Sequence, residues 1–69
     1  MAKVIWSSAG SPTSYVSRTL GIEQWKVGKA IHIIKAKANL GGADNVIIFD
    51  DGTVTDRAGI EIGNIHDEV

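Results

Sequence analysis

The apolar pattern of this chain changes period at Gly41-Gly42, and that change limits its fold more than any other feature. Before it, Val27, Ala30, Ile31, Ile34 and Ala38 recur at steps of three and four, the period of a helix with one buried stripe. After it, apolar residues come in short β-branched runs: Asn45 to Phe49, Thr53 to Thr55, and Ile60 to Ile62. Runs of that kind, separated by turn residues, read as strands. Helices first and an antiparallel meander second is α+β organisation.

The other elements fall around this division. Lys3 to Ser7 carries Val4-Ile5-Trp6 and reads as a short edge strand or pinned arm. Ser11 is the expected N-cap of a first helix, with Pro12 at its first position. That helix runs to about Leu20, burying Tyr15, Val16 and Leu20, and Gly21 closes it. The second helix spans about Ile22 to Asn39, with Gly41-Gly42 as its stop. Ile22, Trp25, Ile33 and Ala36 add a second apolar sector to it. That sector is expected to be covered, with the sheet on one side of the helix and the first helix on the other. Gly28, costly inside a helix, points to close approach of another backbone. Asp50-Asp51-Gly52 makes a hairpin turn and Asp56-Arg57-Ala58-Gly59 a second turn. Gly63 is read as a bulge, and Asn64 to Val69 as a polar tail that extends the last strand through Ile65 at most. The expected order is β-α-α-β-β-β: one small domain over 1–69, two helices packed on a small antiparallel meander sheet.

Size bounds what such a domain can be. At 69 residues the chain buries only about 60% of its unfolded surface, which excludes a multi-domain enzyme, a TIM barrel and a full dinucleotide-binding fold. Hydrophobic residues at 43% are too many for a disordered chain. There is no cysteine, so disulfides, thiolate catalysis and cysteine-based zinc sites are excluded. A core this small, unstapled, leaves self-association as a homodimer open. The longest apolar run, Val46 to Phe49, is far short of the roughly 20 residues of a membrane span. The segment after Met1 is too short for a signal-peptide core. The chain as given therefore reads as soluble and cytoplasmic, with no membrane partner.

No strong catalytic motif is present: no phosphate-binding loop, no paired-histidine zinc helix, no serine nucleophile elbow. Asp44, Asp50, Asp51 and Asp56 lack the alternating spacing of an EF-hand and are read as turn formers. No metal site and no cofactor are expected. The second helix is more informative. Lys29, His32 and Lys35 follow one another at steps of three, away from the Val27–Ile34 stripe, and Trp25 lies seven positions before His32. The expectation is a cationic strip with one aromatic ring and one group that titrates near neutrality. Such a strip is either a solvated face or a contact for phosphate, with His32 as general acid or base. Cleaving RNA through its own 2′-OH needs a base, an acid and fixed positive charge beside the phosphate. Arg57 in its turn is positioned to grip phosphate or is a plain surface residue. His66 is read as a solvated tail residue.

Net charge is −1, yet the two signs are segregated. Residues 1–43 hold six basic side chains and one acid, and residues 44–69 one base against seven acids. An anionic ligand would therefore approach the helical half.

Several segments together suggest a family. These are Trp6-Ser7-Ser8, Gly10-Ser11-Pro12, Thr19-Leu20-Gly21, Ala30-Ile31-His32, Ile34-Lys35, Leu40 to Val46, Asp51-Gly52-Thr53-Val54 and Glu61 to Ile65. The set resembles the C-terminal toxin modules of bacterial polymorphic toxins of the Rhs and contact-dependent-inhibition type. Many of those belong to a metal-independent ribonuclease group with a barnase-like or RelE-like fold. The resemblance implies helices followed by an antiparallel sheet, RNA as substrate, His32 and Lys35 as candidate catalytic residues and an acidic immunity protein as partner. It also implies a secreted tip of a larger toxin acting in a target cytoplasm. Such tips often carry Thr-Gly-Glu before Ile-Gly-Asn. Here Ala58-Gly59-Ile60-Glu61 stands in its place, so the threonine role is either absent or moved to Thr53 or Thr55. Apart from the resemblance, the residues' placement adds Arg57 to the catalytic set, and Trp25, Lys29 and Thr53 form the substrate-binding set. The alternatives are a non-catalytic nucleic-acid- or protein-binding module and a self-associating domain.

Overall fold

The computed structural model describes residues 2–8, 13–41 and 44–69. It has the α+β order expected: β1 (Val4–Ser8), α1 (Thr13–Leu20), α2 (Gln24–Lys37), β2 (Val46–Phe49), β3 (Thr53–Asp56) and β4 (Glu61–Asn64). A 3-10 turn, η1 (Ile65–Asp67), follows. The strands form one antiparallel sheet in the order β1-β2-β3-β4. The first strand thus pairs with the second across both helices. Ser11, Pro12 and Gly42, read above as helix signals, lie outside the described residues.

The predicted stripe of α2 supplies the centre of the core. Val27, Ala30, Ile31 and Ile34 are buried, together with Val16 of α1, Val46 and Ile48 of β2, Val54 of β3 and Ile65. Ile48 stands opposite Val54, and Val54 opposite Gly63. These three register partners therefore share the core-facing side of the sheet. A Cβ on Gly63 would lie 2.9 Å from Ile34 Cγ1. That contact, rather than a bulge, accounts for the glycine: it lets α2 settle onto β4. The irregularity is one residue earlier. Val54 pairs with Gly63 but Thr55 with Glu61, so Ile62 is the extra residue.

Several expectations are corrected. Ile22 lies outside α2, which begins at Gln24 after the cap residue Glu23. The Ser17 hydroxyl donates to the Ile22 carbonyl and fixes the short link between the helices. At the other end α2 stops at Lys37, without Gly41-Gly42. Asn39 takes the left-handed conformation, φ 60, and its N–H donates to the Ala36 carbonyl while that of Leu40 donates to Lys35. This is a Schellman ending, with asparagine in the place glycine usually fills. Tyr15 is 49% exposed, because the eight-residue α1 presents only the Val16 side to the core. The second apolar sector of α2 is covered only in part: Ile22 packs against the core and Ile33 is half-buried, whereas Trp25 is 62% exposed and Ala36 is exposed as well. Gly28 meets a side chain, with its Cβ position 3.3 Å from Thr13 Cγ2. The C-terminal segment is not a loose tail. Ile65 is fully buried, Asn64 caps η1 by accepting from the His66 N–H, and Lys37 pairs with Glu68 at 3.1 Å.

Candidate functional site

The solvent face of α2 is a stripe of its own. Trp25, Lys29, His32 and Ala36 are all exposed and are spaced by four, three and four. At about 3.6 residues per turn they fall in one narrow row opposite Ile34. Lys26 lies beside this row, its ammonium 5.6 Å from the Trp25 ring centroid. The indole N–H donates to Glu23 at 2.6 Å, which orients the ring at the start of the helix. An aromatic platform, two lysines and an imidazole thus share one surface.

Lys35 is not part of it. It is only 6% exposed, a correction to the cationic strip read from the sequence. Steps of three lag behind the helical turn, and two of them carry a residue about a third of a turn round. Lys35 therefore falls on the flank of Ile31, four residues before it, and of Gly28, seven before, where α1 touches α2.

The remaining predicted residues are dispersed. Thr53 opens β3 at the β2–β3 hairpin. Arg57 follows the other end of the same strand, about 13 Å away at strand rise. Thr53 donates its N–H to Asp51 Oδ1 at 3.0 Å, and these hydrogen bonds with Thr53, helped by the charge of nearby His66, hold the Asp51 carboxyl below its ordinary range. His66 covers this hairpin: a Cβ on Gly52 would lie 2.6 Å from His66 Cδ2 and 2.7 Å from Asn64 Oδ1. Its place was not legible in the sequence, although Asn64 two residues before it was a usable cap signal.

Arg57 instead lines a cleft of about 290 Å³ with Leu40, Asp44, Asn45, Asp56 and Ala58. The carboxylates here serve as turn formers, as expected. Asp44 Oδ2 accepts the Gly41 N–H at 2.7 Å, and Asp56 Oδ1 accepts those of Ala58 and Ile60. The Asp50 carboxylate departs from that reading: its Oδ1 accepts the N–H of Lys3, just before β1, at 3.1 Å. Among the described residues no group of three or more His, Cys, Asp or Glu side chains is placed to hold a metal ion, and no helix is long and apolar enough to cross a membrane. No family model, curated protein or solved structure matches the chain.

Proposed function

We propose that this domain acts on RNA as a small ribonuclease-like toxin module, seating the strand on the exposed face of α2. The observation that carries the reading is the single row of Trp25, Lys29 and His32. Single-stranded RNA is gripped by aromatic platforms for its bases and cations for its phosphates, and the row offers both. His32 is the imidazole available for proton transfer to or from the ribose-phosphate. An acidic immunity protein would cover the same face, and the larger toxin would deliver the module into a target cytoplasm.

A second reading, a nucleic-acid-binding module without cleavage, draws on the position of Lys35, Thr53 and Arg57. Cleavage needs two proton-transfer groups at one phosphate, and the α2 row holds a single imidazole. One experiment separates the two. The protein is incubated with total RNA in EDTA beside His32→Ala, while binding to a labelled single strand is followed at several salt concentrations. Cleavage by the parent, lost in the variant with its thermal unfolding unchanged, supports the ribonuclease. Intact RNA with binding that weakens as salt rises supports the binder. For the binder, Lys29→Ala should reduce the slope of log K on log salt by about 0.7. Absence of both cleavage and binding rejects the RNA reading.

A further inference from the structure

The cleft at Arg57 is chemically unlike the α2 face, and the groups lining it select a ligand. Arg57 makes no ion pair among the described residues, although Asp44 and Asp56 line the same cleft. Each carboxylate has one oxygen committed to backbone N–H groups, Oδ2 of Asp44 and Oδ1 of Asp56. Among the described residues the other oxygen of each accepts no hydrogen bond. The guanidinium offers its whole fork of donors. Two carboxylates disfavour a bare phosphate and one arginine disfavours a bare cation. A neutral ring fits, with an N–H₂ group at one end of an edge and two adjacent acceptors after it.

Among the RNA bases that edge belongs to cytosine. Its N4 amino group carries two hydrogens, one for each of these carboxylate oxygens, and carboxylates accept from cytosine N4. Its N3 and O2 are neighbouring acceptors that suit a bidentate arginine. Uracil has N3–H between two carbonyls and would leave the carboxylates without the amino group. Guanine presents one acceptor and two donors, the reverse order. Adenine has the amino group but only one ring acceptor on that edge. Leu40 and Ala58 supply apolar surface for the ring, and a cleft of about 290 Å³ sits at the small end of ligand sites.

We propose that this cleft is a cytosine-binding site, taking a base splayed from a single strand whose backbone lies on α2. The proposal deepens the RNA reading above and rests on it for the source of the base, but its test does not require RNA. Cytidine, uridine and guanosine, nucleosides without phosphate, are titrated into ¹⁵N-labelled protein and followed by amide shifts. The expected result is saturable shifts at Asp44, Asn45, Arg57 and Ala58 with cytidine. Uridine and guanosine should bind at least about tenfold more weakly, the 1.4 kcal/mol scale of one lost hydrogen-bonding match. Arg57→Ala should abolish the shifts and Arg18→Ala, an exposed cation on α1, should leave them unchanged. Equal response to all three nucleosides, no saturable response, or binding that survives Arg57→Ala overturns the proposal. Cytidine binding in a protein that neither binds nor cleaves RNA would keep the cleft and reject the RNA reading.

Discussion

The two ends of the sheet are built from similar turn chemistry and finish in opposite states. At one end Asp51 and Gly52 turn β2 into β3. At the other Asp56 and Gly59 turn β3 into β4. Both glycines have positive φ, 91 and 87, and both aspartates accept backbone N–H groups two residues on. The first end is then closed over by His66 and Asn64. The second stays open and leaves Arg57 uncommitted beside its cleft. A turn motif thus fixes how the chain reverses but not whether the reversal becomes core or surface. That is decided by what the rest of the chain lays over it.

The largest effect that would break this comparison is at the glycines. Gly52→Ala meets both a left-handed backbone and atoms at 2.6 and 2.7 Å, and should cost about 2–4 kcal/mol. Gly59→Ala meets open space and should cost only the backbone term, about 1–2 kcal/mol. Urea unfolding of both variants checks this, and equal losses would show that His66 does not close the first end. Asp56→Ala removes an acceptor from two N–H groups and should cost about 1–2 kcal/mol. Asp51→Ala removes one from a single backbone N–H and should cost less. Arg57→Ala should change stability by less than about 0.5 kcal/mol, since the side chain holds nothing in place. A larger loss would mean the open end is structural after all.

The smallest expected effect is in the acid limb. The folded-state pKa of Asp51 is lowered, so its contribution is present above the unfolded value. It is lost as pH falls through the folded one. The parent should therefore lose stability relative to Asp51→Asn on acidification below the ordinary aspartate range. Thermal unfolding of both proteins across that interval measures it, and parallel curves would remove Asp51 from the account.

The fold was legible where one periodicity ruled a segment. The α2 stripe, the three-strand meander and the turn aspartates follow from spacing that local physics alone determines. What escaped depended on partners far along the chain. Asn39 stopped α2 where the eye goes to Gly41, because the Schellman bonds can form as soon as one residue tolerates the left-handed region. Ile65 and His66 read as tail because only the folded hairpin gives them something to cover. The site suffered most from phase. Counting by threes keeps Lys29 and His32 together but carries Lys35 into the core flank, while the strand and turn signals around Thr53 and Arg57 already set those two at opposite ends of one strand.

The pairing of β1 with β2 has a consequence for how this chain reaches its native state. Val4 faces Phe49, and everything between them, both helices included, must be looped out before that contact forms. The β2–β3–β4 meander closes through tight local turns, whereas docking β1 closes the longest loop in the domain at the highest entropic cost. β1 is thus expected to dock late, and mutations within it to speed unfolding more than they slow folding. The exposed Val4 and the edge position of β1 in the sheet belong to the strand expected to be the last to arrive and the first to leave.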